Sequence, residues 1–282
     1  MDTPVAGAHF DAVRFAYPGG PDLLRGITTF VDPGEAVVLL GPNWAGKTTL
    51  TKLLVGLLQP DEGAVWVGDV STKDLDPADM ARRVGYVFQH PRQQIFARTV
   101  FDEVAFGPRQ LGVSPEETES IVRATIRDTG LEGLESSHPY DLSPVQQKLV
   151  CMASALAQRP SVLVLDEPTQ GFDRRHLVQV ARLVRRQVES GKAVLAVSHD
   201  LTFAAEAFDR ACVLVDGRIV SDTPAADFVR SEPLVARLGV RPRGVAVIGD
   251  ALGLPQPPAR IAEAVTMLRK IRDGRGSRGS LT

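Results

Sequence analysis

Short hydrophobic runs alternate with turn residues along the first forty positions, and this spacing predicts β-strands. Residues 9–17 and 26–31 alternate apolar and polar positions, as half-buried strands do. The segments Pro18–Gly20 and Asp32–Gly34 follow them and supply turn residues. Ala36–Leu40 is apolar throughout, which is typical of a strand buried on both faces.

Beyond this strand the pattern becomes strand, loop and helix. Gly41–Gly46 is a loop of glycine, proline and asparagine, and leucines at positions 50, 53, 54 and 57 give residues 47–58 a helical period. Five further apolar strands are predicted, the last three alternating with helical stretches as parallel α/β units do. They are Val65–Val67, Val84–Phe88, Val162–Leu165, Val194–Val197 and Cys212–Val215.

Strand patterns disappear between residues 91 and 159, where helical ones replace them. Ser114 caps a predicted helix over Pro115–Thr129, and another is predicted over Val145–Ala157. We therefore expect an α/β unit over residues 1–230 with a helical insertion at about 91–158, and a C-terminal extension over 231–282. The extension would carry an amphipathic helix over Ala259–Ile271 and end in a basic, disordered tail over residues 273–282.

Length and charge limit the class of protein. The 282 residues suffice for one large α/β domain with an appendage, and 44% hydrophobic with 23% charged residues is ordinary for a globular chain. With 32 basic against 34 acidic residues the net charge is −2, which excludes a global positive field for nucleic acid but leaves a local basic patch open. Cys151 and Cys212 lie in apolar surroundings and predict buried free thiols, as in a reducing cytosol.

No apolar run approaches the roughly 20 residues that cross a bilayer. The N-terminus also lacks the basic and apolar segments of a secretory signal. Any association with a membrane is therefore expected to pass through a partner.

Residues 41–48 read Gly-Pro-Asn-Trp-Ala-Gly-Lys-Thr and fit G-x-x-x-x-G-K-[ST] between a strand and a helix. Backbone N–H groups and the positive end of a helix dipole form an anion site there. Lys47, one of only six lysines, would reach the β- and γ-phosphates, Thr48 would bind Mg²⁺, and Thr49 would add a phosphate contact. The predicted nucleotide-binding residues are Gly41, Pro42, Asn43, Trp44, Ala45, Gly46, Lys47, Thr48 and Thr49.

Trp44 is unusual in a loop that closes around phosphate. In a left-handed conformation it would cost about 1–2 kcal/mol, and in another its bulk would intrude where a ligand or partner approaches. It would then weaken nucleotide binding or block a facing subunit. The alternative is an indole that points into solvent and leaves the loop functional, and both interpretations stay open at this point.

Three further strands end in polar side chains, at the edge where α/β sheets place ligands. Asp166 would hold Mg²⁺ through water, and Glu167 would act as the base toward an attacking water. His199 would contact the γ-phosphate and orient that water. Gln89 is suited to a contact with Mg²⁺ or water. Incidental polar residues at strand ends are the alternative, which the upstream phosphate loop disfavours.

Taken together, these segments resemble the nucleotide-binding subunit of ABC transporters. The resemblance spans about residues 8–225, with the phosphate loop, Gln89, a signature near 142–146, Asp166-Glu167, 171–173 and His199 in the family's order. It implies an α/β fold: a P-loop NTPase core, which is the ABC ATPase cassette, with an antiparallel β subdomain and a helical insertion. It also implies ATP and Mg²⁺ as cofactors, with the metal at Thr48, Gln89 and Asp166.

The family pairs two such subunits head to tail, each ATP lying between the phosphate loop of one and the signature of the other. On that ground Ser143, Gln146 and Asp173 are added to the nucleotide-binding residues. Tyr17 matches the aromatic residue that stacks on adenine, a core tyrosine being the alternative. The helix over 259–271 would dimerise, as the family's extension often does, or pack on its own domain.

Two segments, Phe88–Phe96 and Thr99–Pro108, resemble the energy-coupling-factor type, which serves vitamin and transition-metal-ion importers. The resemblance therefore implies a peripheral subunit on the cytoplasmic face of the membrane. It would act with a second ATPase subunit and transmembrane components, and with no nucleic acid. Four apolar side chains would form the groove for a membrane partner's helix, with core packing as the alternative for some: Ile95, Phe96, Phe101 and Phe106.

Residues 142–146 depart from the family's Leu-Ser-Gly-Gly-Gln. Pro144 has no N–H to offer a γ-phosphate, and Val145 adds bulk where glycine permits close approach. As a helix start the segment is sound, because Ser143 caps it, Pro144 suits the first helical position and Gln146 completes a capping box.

Three interpretations of the function follow. The first is an ATP-hydrolysing subunit that energises import, and the second is a catalytically impaired subunit with a structural or regulatory role in a heterodimer. The third, a soluble ABC-type protein acting on nucleic acid, is disfavoured because such proteins usually carry two cassettes in tandem.

Overall fold

The computed structural model describes residues 7–231, 258 and 260–276. In chain order the strands are β1 (Ala8–Ala16), β2 (Asp22–Val31), β3 (Ala36–Leu40), β4 (Glu62–Val67), β5 (Val70–Ser71), β6 (Val84–Val87), β7 (Val162–Asp166), β8 (Ala193–Val197), β9 (Arg210–Val215) and β10 (Arg218–Pro224). The helices are α1 (Lys47–Leu54), α2 (Pro77–Arg83), α3 (Val100–Gln110), α4 (Pro115–Thr129), α5 (Pro144–Ala157), α6 (Arg174–Glu189), α7 (Leu201–Ala207), α8 (Ala225–Arg230) and α9 (Ile261–Gly276).

The strands form two sheets. Four of them make an antiparallel sheet in the order β2-β1-β4-β5, and six make a sheet in the order β10-β9-β3-β8-β7-β6. Every pairing in the larger sheet is parallel except that of β10 with β9. In β1 and β2 buried and exposed positions largely alternate, whereas β3, β7 and β8 are buried throughout. The predicted difference between half-buried and fully buried strands is confirmed.

The hydrophobic core lies on both faces of the six-stranded sheet. Val37 and Leu39 of β3 pack toward α1 and the antiparallel sheet, and Val38 packs toward the helices on the other face. Because consecutive residues of a strand point to opposite faces, one apolar run serves both clusters. Helices α3, α4 and α5 lie in the predicted helical region and pack in the same cluster as Val38. These helices therefore share a core with the six-stranded sheet.

Several predicted boundaries were wrong. α1 ends at Leu54 rather than Leu58, because Gly56 adopts the left-handed conformation that terminates helices, and Leu57 is 58% exposed. α5 begins at Pro144, one residue before the start given by the helical pattern, and this confirms the prediction that Ser143 caps the helix and Pro144 takes its first position. No predicted element corresponds to α3, whose sequence carries an interior Pro108.

The helix predicted over 259–271 is present as α9, and residue 259 lies outside the described residues. α9 runs to Gly276, so the first four residues of the tail predicted over 273–282 are helical, while residues 277–282 lie outside the described part. Arg260 donates to the carbonyl of Ala205 at 2.9 Å, and Arg230 pairs with Glu263 at 2.8 Å. The start of α9 thus packs on its own chain. No helix in the described residues has the length and apolar character to cross a membrane.

Candidate functional site

A cavity of about 490 Å³ lies at the carboxyl ends of the parallel strands, beside the loop between β3 and α1. Parallel strands end at one edge of a sheet, which brings together residues far apart in sequence. The lining includes nine predicted site residues together with Leu23, Lys52 and Val197; the nine are Tyr17, Asn43, Trp44, Gly46, Lys47, Thr48, Thr49, Gln89 and Glu167.

The loop over residues 41–46 is shaped by backbone that only glycine accommodates. Gly46 has φ 102° and precedes the first residue of α1, and a Cβ at this position would meet Leu24 Cδ2 at 2.6 Å. A Cβ at Gly41 would overlap the carbonyl of Leu214. Larger residues at either position would push the loop away from the sheet, so the two glycines fix its curvature.

Lys47 lies inside this loop. Its Nζ donates to the carbonyls of Gly41 at 2.8 Å and Pro42 at 2.9 Å, and only 8% of the residue is exposed. Burial lowers the pKa of Lys47, opposed by the charges of Glu167 and Asp166. A desolvated ammonium at the start of a helix is a strong partner for an anionic oxygen.

Trp44 has both a left-handed backbone and a side chain that points into solvent. Its φ is 70°, in the left-handed region that costs a non-glycine residue about 1–2 kcal/mol. Its side chain is 94% exposed and stands at the rim of the cavity. The indole therefore points into solvent rather than into the loop, and its backbone strain remains.

Asp166 and Thr48 bring two oxygen ligands together. The hydroxyl of Thr48 donates to Asp166 Oδ1 at 3.4 Å, and the hydroxyl of Tyr86 donates to Oδ2 at 3.3 Å. Asp166 is 3% exposed, and burial raises its pKa despite these hydrogen bonds and the charge of Lys47. A buried carboxylate with only neutral donors on its oxygens is a fitting ligand for a hard cation.

This donor set fits Mg²⁺ when the remaining ligands come from elsewhere. Among the described residues no group of three or more histidine, cysteine or acidic side chains could hold a metal. Mg²⁺ usually keeps several waters and takes one or two carboxylates together with phosphate oxygens. Thr48, Asp166 and the nearby amide of Gln89 are the residues that would hold it here.

Glu167 occupies a strained position at the end of β7. Its φ is 47°, its amide donates to the carbonyl of Val197 at 2.9 Å, and its Oε2 lies 2.8 Å from His199 Nδ1. The Glu167 side chain is only 12% exposed, whereas that of His199 is 64% exposed. Strained backbone of this kind clusters at active sites. Glu167 lines the cavity and His199 does not, so the imidazole is connected to the cavity by its contact with the Glu167 carboxylate.

Tyr17 stands at the other side of the cavity, 42% exposed. Its hydroxyl lies 3.2 Å from Thr49 Oγ1, and its ring packs edge-to-face on Phe15 with centroids 5.0 Å apart. The exposure excludes the alternative of a core tyrosine. The ring is therefore held next to the phosphate loop and is partly exposed where it lines the cavity.

Ser143, Gln146 and Asp173 do not line this cavity. Ser143 and Gln146 form the predicted capping box, with Gln146 Oε1 accepting from the Ser143 amide at 3.0 Å and Ser143 Oγ accepting from the Gln146 amide at 3.3 Å. Asp173 caps α6, where its carboxylate accepts from the amide of His176. Within one chain these residues serve the starts of α5 and α6 as caps and contribute nothing to the lining of the cavity.

The four apolar residues of the predicted docking groove divide into two pairs. Ile95 is buried, and Phe101 packs against the core. Phe96 and Phe106 are 62% and 43% exposed and pack edge-to-face with centroids 4.7 Å apart. The exposed apolar feature is therefore this aromatic pair, and core packing accounts for the other two residues.

Besides Leu23, Lys52 and Val197, two residues that contact Asp166 and Glu167 were not predicted. Tyr86 links Thr51 Oγ1, at 3.0 Å, to Asp166, and Lys148 donates to the backbone carbonyl of Glu167 at 2.8 Å. Tyr86 sits inside an apolar strand where a core role is the ordinary expectation. Lys148 could have been noticed, because it is one of six lysines and directly precedes the apolar run 149–153 of α5.

Residues 24–170 match the family model described as ABC transporter. A protein of Pyrococcus abyssi named as an ABC transporter ATP-binding protein is 41% identical over 221 residues, which cover 78% of this chain and 85% of the relative. A Streptomyces coelicolor protein with the same description is 39% identical over 257 residues, covering 87% and 96% of the two chains.

Solved structures are similar in fold. CbiO1 of Clostridium perfringens, described as part of the ABC transporter complex CbiONQ, gives a TM-score of 0.74 at 26% identity and covers 88% of this chain and 98% of its own. The ATP-binding cassette MJ0796, solved as a dimer bound to ADP and phosphate, gives 0.69 at 27% identity and covers 77% and 98%.

Proposed function

The chain belongs to the ABC transporter family as an ATP-binding subunit with an ATP-hydrolysing cassette, and from this premise we propose that it energises import of a small substrate. The substrate class would be a vitamin or a transition-metal ion, as in the energy-coupling-factor type. Lys47, Thr48 and Glu167 line one cavity, and Asp166 accepts a hydrogen bond from Thr48 beside it; this arrangement carries the proposal. The segments 88–96 and 99–108 support the substrate class. The similarity to CbiO1, which is part of the transporter complex CbiONQ, supports the expectation of partner chains.

Binding of ATP follows from the shape and charge of the cavity. The adenine would stack on Tyr17, and the phosphates would lie across the amides of residues 41–48. Lys47 would exchange its contacts with the carbonyls of Gly41 and Pro42 for phosphate oxygens. Thr49 would add a hydroxyl contact, since it already lies beside Tyr17.

Hydrolysis is assigned to Glu167 as the base. Its carboxylate is fixed by His199 at 2.8 Å and by a backbone tied to β8, so it can accept a proton from water directed at the γ-phosphate. His199 would hold this carboxylate and reach the γ-phosphate with its other ring nitrogen. Bound Mg²⁺ would neutralise charge on the phosphates, held by Thr48, Asp166 and Gln89.

Two copies of the cassette would complete the site. Ser143, Gln146 and Asp173 lie away from the cavity of their own chain, which is the arrangement expected when they serve the nucleotide of a second subunit. Transmembrane components would dock on the exposed pair Phe96 and Phe106. The subunit would then work at the cytoplasmic face of the membrane, as a peripheral component.

A second candidate is supported by the signature. Pro144 removes a backbone donor, so the chain would serve its partner's nucleotide poorly while its own Glu167 could work against an intact signature. The chain would then be the impaired half of a heterodimer, with a structural or regulatory role.

The test is to purify the tagged chain from membranes with its bound partners. A transporting ATPase predicts polytopic partners, and ATP hydrolysis that Glu167→Gln lowers about 100- to 10,000-fold to a measurable residual rate. Vitamin or metal uptake into vesicles that contain the complex identifies the substrate class. Hydrolysis that is lost on substitution of Glu167 but survives loss of the partner cassette's base favours the second candidate, because the altered signature serves the partner's nucleotide. Recovery without any membrane protein contradicts both.

A further inference from the structure

Lys148 is a buried cation in the second turn of α5. Only 7% of the residue is exposed, and its Nζ donates to the carbonyl oxygen of Glu167 at 2.8 Å. Burial lowers the pKa of Lys148, and the charges of Glu167, Cys151 and Asp166 oppose this shift. An ammonium has three hydrogen-bond donors. Burying an ammonium group costs free energy unless acceptors or opposite charges nearby compensate for the lost water.

The residue that Lys148 contacts is conformationally strained. Glu167 has φ 47° and precedes Pro168, two conditions that each restrict an ordinary L-residue. Such strain persists only where the surroundings fix it. The amide of Glu167 is tied to Val197 of β8, and its carbonyl is tied to Lys148 of α5.

We propose that Lys148 is a positioning residue that holds the backbone of Glu167 so that its carboxylate faces the attacking water. The proposal rests on the assignment of Glu167 as the base. Without Lys148 the peptide after Glu167 would lose its strongest acceptor contact, and the strained backbone would relax toward an ordinary conformation. The carboxylate would then move away from the γ-phosphate, while the phosphate loop stayed in place.

The position of Lys148 gives this contact a second consequence. Ser143, which caps α5, lies five residues earlier, about 7.5 Å along the helix axis. The helix that begins with the signature therefore touches the base of the same chain directly. In a dimer, a change at the signature would reach the base through one rigid helix.

The experiment measures ATP hydrolysis by the complex purified from membranes. Lys148→Met keeps the length of the side chain without its donors, Lys148→Arg keeps the charge, and Lys73→Met is the control at an exposed lysine. We expect Lys148→Met to lower kcat about 10- to 100-fold with ATP affinity within about twofold, and Lys148→Arg to recover part of the rate. Lys73→Met should match the parent.

The double variant Lys148→Met/Glu167→Gln separates positioning from a merely structural role. If Lys148 acts through Glu167, the double variant is no slower than Glu167→Gln alone. A parallel loss of ATP affinity, melting temperature and rate, without recovery by Lys148→Arg, would overturn the proposal. If Lys148→Met does not fold, Lys148→Gln and Lys148→Arg are read in the same way, and parental kcat in both overturns it.

The same series distinguishes this proposal from the function on which it rests. Parental kcat in Glu167→Gln would remove the base assignment itself. A strong loss in Glu167→Gln with full activity in Lys148→Met would remove only the role of Lys148.

Discussion

The phosphate loop departs from the family's pattern at Trp44 and the signature segment departs at Pro144 and Val145, and the structure gives Trp44 and Pro144 different weight. Trp44 is bulky, but its side chain is 94% exposed and its backbone N–H is still present. Pro144 is smaller and fits its helix well, yet it has no N–H. The first change costs conformational strain, and the second removes a donor.

The difference shows that local stability and ligand binding are separate demands. Ser143, Pro144 and Gln146 make a well-capped helix start, with the capping box complete. The loop with Trp44 is strained, yet Gly46, Lys47 and Thr48 keep their places around the cavity. The better-formed segment is thus the one expected to bind phosphate less well.

Loss of Lys47 should have the largest effect, because it removes the charge at the centre of the intact loop. We expect Lys47→Ala to weaken ATP binding at least about 100-fold, since hydrogen bonds to charged groups contribute about 1.5–3 kcal/mol each. Calorimetric titration measures it, with the exposed Lys73→Ala as control. A change of less than threefold would mean that the loop does not hold the phosphates.

Restoring the signature should raise activity, which would break the contrast between the two segments. Pro144→Gly/Val145→Gly returns a donor and removes bulk, and an oxyanion donor is typically worth 100- to 1000-fold in rate. We expect hydrolysis by paired copies of the chain to rise about 10- to 100-fold, with helix stability lowered by roughly 1–2 kcal/mol. Pro144→Ala alone restores the N–H and should give part of the gain. Unchanged rates in both variants would show that the present signature is competent.

A smaller effect is expected at Tyr86, whose hydroxyl contacts Asp166 on the phosphate-loop side of the comparison. Tyr86→Phe removes the hydroxyl that lies 3.3 Å from Asp166 Oδ2 and 3.0 Å from Thr51 Oγ1. Partners of metal ligands typically affect metal affinity 10- to 100-fold, and we expect the Mg²⁺ requirement of hydrolysis to rise about 10-fold. ATP affinity without Mg²⁺ should not change. Tyr140→Phe, whose hydroxyl donates to Ile95, is the control; an equal effect there would point to general loosening.

Sequence patterns predicted the site residues that belong to a contiguous motif or directly follow a predicted strand. The loop at 41–48 and the polar residues after β6, β7 and β8 follow from strand ends, which parallel sheets bring to one edge. Tyr86 and Lys148 could not be assigned in this way, because their partners are 80 and 19 residues away. The strain at Glu167 was also hidden, since nothing in a Leu-Asp-Glu-Pro run specifies a positive φ.

The weakest effect should come from Trp44→Gly, which tests whether the loop tolerates its bulky residue. Relief of the left-handed backbone should offset the greater freedom of glycine when unfolded, so we expect stability to rise by at most about 1 kcal/mol. Because the indole points into solvent, ATP affinity of the single chain should stay within about twofold. Trp44→Ala separates loss of the indole from relief of strain, since alanine keeps the conformational cost. If both variants leave affinity unchanged but accelerate hydrolysis by paired copies, the indole obstructs the facing subunit. If both bind ATP at least tenfold more tightly, the loop itself is impaired and the contrast with the signature disappears.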